Sequence, residues 1–211
     1  MRGCRMYKKY VKRALDFTLA LIGIICLSPI LMIIAVAVKI DSKGPVLFKQ
    51  QRLGMNGKVY NMYKFRSMCV GAEKQGVYSD SNDSRITKVG HLLRASSMDE
   101  LPQMINILKG DMALIGPRPT LTYHPWKYEE YSDEQKRMFE VRPGITGWAQ
   151  VHGRKDVEWN KRIQLNVWYV DNVSFLLDVK IFFVTILKVI SNADNENKGV
   201  TVQYKKDVVA K

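Results

Sequence analysis

A chain of 211 residues is long enough to bury one ordinary core but not comfortably two, so one catalytic domain with a membrane element is the economical reading and no second enzymatic domain is expected. Thirty-three Lys and Arg against 20 Asp and Glu leave a net charge of +13, which favours phosphate-bearing partners such as anionic lipid, nucleotide or nucleic acid without choosing among them. Cys4, Cys26 and Cys69 are odd in number and far apart, a pattern that points away from a disulfide framework or a zinc site and fits a reducing, cytosolic setting.

From Phe17 to Val38 run 22 residues without a formal charge, FTLALIGIICLSPILMIIAVAV, long enough to cross a bilayer as one straight helix. Ala35-Val36-Ala37 has the form of a signal-peptide cleavage site, but the run is longer than a usual signal core and proline interrupts it. Ser28-Pro29 stands at its middle. Proline deletes a backbone hydrogen bond and costs roughly 3 kcal/mol inside a helix, so a bend is predicted there. The first half then measures about 16 Å, close to half of the roughly 30 Å hydrocarbon core, which suits a re-entrant hairpin. The flanks agree: Arg2, Arg5, Lys8, Lys9, Lys12 and Arg13 precede the run, and Lys39, Lys43, Lys49, Arg52, Lys58, Lys64 and Arg66 follow it. Both ends therefore suit the anionic cytoplasmic face. A proline-kinked spanning helix is the other reading.

Next come GPVLFKQQRLG from Gly44, then Asn56-Gly57-Lys58-Val59-Tyr60 and Lys64-Phe65-Arg66-Ser67-Met68. Glycine punctuation around short apolar runs predicts strands joined by a tight turn. Alternation puts Lys64 and Arg66 on one face, able to grip a diphosphate together; two solvated cations on an edge strand explain them equally well. Residues 71–90 are polar and rich in Gly, Ser, Asp and Asn, and read as a surface loop.

In Ser96 to Gly110, SSMDELPQMINILKG, Leu101, Ile105 and Leu108 recur at helical spacing and Gly110 is a natural stop. Pro102 is tolerable only in the first turn, which puts Asp99 and Glu100 at the helix N-terminus, where the dipole is expected to lower a carboxylate pKa. Ser97-x-x-Glu100 also matches a capping box and Asp99 can itself cap the helix; taken alone, capping is the stronger reading. The neighbourhood shifts that weight. Gly116-Pro117-Arg118-Pro119 follows, then VRPGITGWAQVHGR with Arg142 and Arg154. Rigid turns that present single arginines suit anion recognition. Two acids among them can bind a divalent cation and a diphosphate, with one carboxylate left to attack phosphorus.

This combination resembles the monotopic bacterial sugar transferases, the small phosphoglycosyltransferases that act on undecaprenyl phosphate. The resemblance covers roughly Tyr7 to Ile190 and rests on Lys12-Arg13…Asp16, Ser28-Pro29, GPVLFKQQRLG, YKFRSM, MDELPQMINILKGDMALIGPRP and VRPGITGWAQVHGR in order. It implies a Mg²⁺-dependent ping-pong reaction in which Asp99 attacks the β-phosphate of a UDP-sugar, releases UMP and passes the phosphosugar to undecaprenyl phosphate. Glu100 matches the family's metal ligand. The resemblance also favours the re-entrant hairpin, with Ser28 and Pro29 at its turn and the site at the cytoplasmic face of the bacterial inner membrane. Arg118 and Arg142, then Lys64 and Arg66, are the expected phosphate clamps. His91, His124 and His152 are expected to be surface or turn residues. Where many family members carry an aspartate this chain has Asn166, with Asp171 or Asp178 as substitutes if that acid supports the site.

Phe175 to Ile190 is apolar but carries Asp178, Lys180 and Lys188, and is too short to span; it is expected at the interface or against the core. Trp148, Trp159 and Trp168 fit an interfacial belt or a core. The fold class is therefore α/β, mostly helical with a small β element: residues 1–40 a basic start and membrane hairpin, 41–190 a catalytic domain with interfacial amphipathic helices, and 191–211 a polar tail. Expected partners are a UDP-sugar, undecaprenyl phosphate and anionic lipid rather than nucleic acid, with a homodimer or downstream glycosyltransferases as further partners. A non-enzymatic basic membrane module explains the charge but not an acidic pair among Gly-Pro-Arg turns. A transferase of the sugar without its phosphate would release UDP instead of UMP.

Overall fold

A computed structural model describes residues 6–72, 76, 83–153 and 158–190; residues 73–75 and 77–82 of the expected 71–90 loop, Arg154 and the expected tail lie outside them. A π-helical turn, Tyr7–Val11, leads into the 30-residue helix α1, Lys12–Asp41. It is the one helix among the described residues long and apolar enough to cross a membrane. Helical conformation runs on through Ser28-Pro29, where the bend was expected. Pro29 cannot donate to the carbonyl of Ile25 four residues back, and the Ser28 hydroxyl donates to that carbonyl instead, at 2.8 Å. The serine thus restores the bond that the proline removes.

One stripe of α1 packs against the rest of the protein from end to end. Asp16, Ala20, Ile34 and Val38 are buried, with Ile24, Leu27, Leu31 and Ala35 partly buried between them at three- and four-residue intervals. That is the spacing of one helical face. The opposite face is apolar and open, with Ile25 63%, Met32 67% and Ile33 68% exposed, an arrangement that suits lipid rather than water.

Strands β1, Leu47–Leu53, and β2, Val59–Phe65, form the expected antiparallel hairpin. The helix α2, Lys88–Ala95, starts inside the expected loop because Thr87 caps it by accepting from the Gly90 amide. A single 3₁₀ turn, Met98–Glu100, precedes α3, Gln103–Lys109. Ala20, Met62, Met104, Ile107 and Met112 close a core between α1, the hairpin and α3, each large side chain contributing about 1.5–3 kcal/mol by burial.

Short strands β3, Ala113–Ile115, and β4, Gly144–Thr146, pair in parallel. A Cβ on Gly116 would meet the Arg142 carbonyl at 2.4 Å, and one on Gly147 the Gly116 carbonyl at 1.9 Å. Only glycines let the Pro117-Arg118 turn and the Arg142-Pro143 turn approach this closely. The small helix α4, Asp133–Lys136, and α5, Trp148–Val151, lead to α6, Trp159–Asn172, and α7, Phe175–Ile190. α7 packs one face against the core and leaves apolar side chains open on the other. Ile181 and Asp178 are buried inward, while Leu176, Phe183 and Leu187 point out, 78%, 60% and 66% exposed.

The two ends of α1 are bolted to this one body. Asp178 of α7 accepts from the Tyr7 hydroxyl and Lys12 ammonium, each at 2.7 Å, and from the Tyr169 hydroxyl of α6 at 2.6 Å. Asp16 accepts from the Leu114 amide at 3.0 Å. At the far end the Arg66 guanidinium, itself buried, donates to the carbonyls of Val38, Ser42 and Lys43 and to the Ser42 hydroxyl, and Asp41 accepts from the Val89 amide.

Candidate active site

The acidic pair sits between α2 and α3 in a turn built by backbone reversal. Ser97 is left-handed at φ 58° and its side chain makes no cap hydrogen bond, so the Ser97–Glu100 capping box does not form. Pro102 takes the N-cap position of α3, which puts Asp99 and Glu100 ahead of that helix rather than in its first turn. The capping explanation for the two acids falls away.

Their surroundings come from the hairpin. Lys64 on β2 donates to Glu100 Oε1 at 2.7 Å. That contact is held in register by Asn106 of α3, fully buried, which accepts from the Tyr63 amide at 3.0 Å and donates to the Asn61 carbonyl at 2.7 Å. A buried amide bonded on both sides fixes α3 to β2 and hence the acids to Lys64. Asparagine at that point of an apolar helix face is the one sequence signal for it.

Asp99 is half-buried, and the expected lowering of its pKa is reversed. Burial raises it, outweighing Lys64 and Arg94, which lower it together with the residue's own backbone amide, while Glu100 adds to the rise. Local sequence cannot supply that sign, because desolvation depends on what packs over the turn. A carboxylate in this condition favours a cation or a positive phosphorus centre brought to it.

The expected clamps separate. Lys64 reaches the acids. Arg118 lies near Arg52 at the other end of the hairpin, and Glu100 also acts on Arg52. Arg66 does not converge with Lys64: it is buried beneath the end of α1, bonded to carbonyls. Arg142 lies at the opposite end of α3, donating through Nε to the Gly110 carbonyl at 2.9 Å, beside Arg13, which donates to Ile107 and Leu108 carbonyls. Ser28 and Pro29 lie in mid-helix, as described above. The substitutes considered for Asn166 are committed elsewhere: Asp178 to Tyr7, Lys12 and Tyr169, Asp171 to Arg137. Asn166 itself is buried in α6 with its Oδ1 unpartnered.

Two cations escaped the sequence reading: Arg94, on the last turn of α2, and Arg52. Arg52 donates to the Pro119 carbonyl at 3.1 Å and to Gln50 Oε1 at 2.6 Å, and the adjacent Leu53 amide donates to the Thr120 carbonyl at 3.0 Å. These bonds tie the Arg118 turn to the hairpin. Burial and then Arg118 push the Arg52 guanidinium down to about 10. In the sequence Arg52 read as one of the basic residues flanking the membrane run and as part of GPVLFKQQRLG, with no site role assigned.

A divalent cation fits this donor set in one specific way. Two adjacent carboxylates stand together, and among the described residues no cluster of three or more His, Cys, Asp or Glu offers an all-protein cage. Mg²⁺ is commonly held by one or two carboxylates with substrate phosphates completing its shell, and a desolvated Asp99 beside Glu100 matches that pattern.

Residues 7–192 match the family model described as bacterial sugar transferase. An uncharacterized sugar transferase of Bacillus subtilis (strain 168) is 44% identical over 195 residues, covering 92% of this chain and 94% of that protein. The UDP-glucose:undecaprenyl-phosphate glucose-1-phosphate transferase of Escherichia coli (strain K12) is 42% identical over 85% of this chain and 40% of its own length. The UDP-N-acetylgalactosamine-undecaprenyl-phosphate N-acetylgalactosaminephosphotransferase of Aeromonas hydrophila is 40% identical over 86% of this chain and 44% of its own length. The chain thus spans nearly the whole of the first relative and less than half of the other two.

Proposed function

Because the chain belongs to the bacterial sugar transferase family, we propose that it transfers a sugar 1-phosphate from a UDP-sugar to undecaprenyl phosphate, releasing UMP and forming undecaprenyl-diphosphate-sugar, the first lipid-linked unit of a surface glycan. The observation that carries this reading is the acidic pair itself: Asp99 is desolvated beside a Glu100 paired to Lys64, neither acid is consumed as a helix cap, and arginines stand further along the hairpin. Relatives named for this reaction with glucose and N-acetylgalactosamine support the substrate class.

In the first half-reaction an Asp99 carboxylate oxygen forms a bond to the β-phosphorus. The bond from that phosphorus to the bridging oxygen breaks, and its electron pair leaves on UMP. In the second half-reaction an oxygen of undecaprenyl phosphate bonds to the same phosphorus and Asp99 departs as carboxylate. Lys64 pairs with Glu100 and lowers the pKa of Asp99 against the burial that raises it, and a carboxylate nucleophile needs no separate base. Mg²⁺ is the cofactor we propose, and Glu100 would hold it; when bound it would supply neutralisation of charge on the diphosphate.

We place both ends of α1 on the cytoplasmic face of the inner membrane, with the helix entering and not crossing the bilayer. In support, one folded body grips α1 at Lys12 and Asp16, along its middle, and at Asp41 and Ser42. A helix crossing to the far side would carry one of these polar anchor sets away from that body. Cations flank both ends, and the open apolar faces of α1 and α7 suit lipid.

Full-length protein in detergent or lipid nanodiscs, given UDP-sugars, Mg²⁺ and undecaprenyl phosphate, is expected to release UMP with at least one sugar. UDP in place of UMP would indicate transfer of the sugar alone. No nucleotide from a broad panel, or full activity in Asp99→Asn, would overturn the assignment.

A further inference from the structure

Beyond the carboxylates, positive charge accumulates again where the hairpin meets residues 119–121. Arg52 and Tyr60 are cross-strand partners, and Arg52 also bridges to Leu121. The guanidinium is held through Pro119 and Gln50, yet its Nε is buried without a hydrogen-bond partner. Arg118 presses on it as a like charge and has no ion pair among the described residues. The buried Tyr60 hydroxyl is also unpartnered. Two arginines drawn together, with a buried donor unsatisfied, form an arrangement whose self-repulsion an anion relieves.

Aromatic rings adjoin this charge. The exposed Tyr123 is followed by His124, whose ring meets the Trp159 indole edge-on at 5.1 Å. Arg162 lies over the same indole at 4.5 Å from its centroid. Arg52 bridges to Leu121, only a short step along the chain from His124, and Arg52 and Arg162 both act on that ring. A phosphate grip next to a flat aromatic surface has the chemistry of a nucleotide: anion at one end, π-face at the other.

We propose that Arg52 and Arg118, with the His124–Trp159 ring pair beside them, form the subsite for the departing nucleoside monophosphate, Arg52 gripping the phosphate that leaves and the rings carrying the base. The inference rests on the transferase reading and assigns its first half-reaction a leaving-group site. As the bond from β-phosphorus to the bridging oxygen breaks, the electron pair falls on the phosphate that these guanidiniums neutralise. Lys64, at Glu100, serves the phosphoryl group that stays on Asp99. The two halves of the diphosphate would then lie towards opposite ends of one hairpin face.

The test uses UMP itself, and uridine as the phosphate-free control, in equilibrium binding to full-length Asp99→Asn protein, where no turnover intervenes. Arg52→Met is expected to weaken UMP roughly tenfold or more and leave uridine within about twofold, since a charge-assisted bond to phosphate is lost. Trp159→Ala should weaken both ligands about fivefold or more. In otherwise wild-type protein, Arg52→Met should slow UMP release while leaving the KM for undecaprenyl phosphate unchanged. Arg52→Lys, retaining charge, and the half-buried Trp159 variant guard against misfolding, with melting temperature as the control. UMP affinity unchanged in Arg52→Met, equal losses for UMP and uridine in that variant, or no UMP binding by the parent protein would overturn the subsite. If the subsite fails while wild type still releases UMP from a UDP-sugar, the transferase reading stands. If no UDP-sugar yields UMP, that reading falls and the binding series still judges the subsite.

Discussion

α3 is a seven-residue helix with arginines or lysines gathered at both ends, and the two ends use them in opposite ways. At the C-terminal end Arg13 and Arg142 donate to the carbonyls of Ile107, Leu108 and Gly110, the groups a helix leaves unsatisfied there. Those cations are matched by the backbone. At the N-terminal end Lys64 pairs with Glu100 and Arg94 acts on Asp99, which remains harder to ionise than in water. One end closes its electrostatics and gains stability; the other leaves them unbalanced for something to arrive. That contrast distinguishes a structural arginine from a functional one more surely than motif membership does.

The comparison breaks most sharply at Asp99. Asp99→Asn is expected to lower UMP release by about 10³-fold or more, as removal of a nucleophile does, and to melt no lower than wild type, because the amide sheds a desolvated charge. Rate and thermal melting measured on the same preparation check both halves. A variant that keeps its activity, or unfolds, would put Asp99 in the same class as the arginines at the other end.

Lys64→Met should come next, at about 10–100-fold in kcat/KM near neutral pH. The sign with pH is fixed by the packing. Asp99 acts ionised, burial holds its pKa up, and Lys64 opposes that rise. Without Lys64 the pKa climbs further, so the acid limb of the kcat/KM profile moves to higher pH and raising the pH restores part of the loss. A uniform loss at every pH would mean that Lys64 contacts substrate without tuning Asp99.

Much of the scaffold was legible from the chain because its signals are local. Glycine punctuation and alternation gave the hairpin, Leu101, Ile105 and Leu108 with Gly110 gave α3, and the length of Phe17 to Val38 gave the long apolar helix α1. What local pattern could not supply was the partner of each long side chain. Arg66, Arg118 and Arg142 sit in similar Gly, Pro or Ser settings, yet Arg66 and Arg142 are drawn to carbonyls on other elements and Arg118 lies by Arg52 at the far end of the hairpin. Arg52 looked like one flanking cation among several until strand pairing set it against Tyr60 and Leu121. The Asp99 pKa was misjudged for the same reason: burial, not sequence spacing, decides its sign.

The smallest effects on activity should come from the arginines whose bonds are complete. Arg142→Ala removes one charge-assisted bond to a helix-end carbonyl and is expected to cost about 1–3 kcal/mol of stability, while UMP affinity and kcat change by less than about threefold in protein that folds. Arg66→Met, which strips several carbonyl contacts from a buried guanidinium, should cost about 2–4 kcal/mol and loosen the end of α1. Denaturant or thermal unfolding in detergent, paired with UMP binding, separates the two classes. If Arg142→Ala instead weakened UMP as strongly as Arg52→Met, the closed end of α3 would have to be read as part of the site, and the carbonyl contacts as a resting position that substrate displaces.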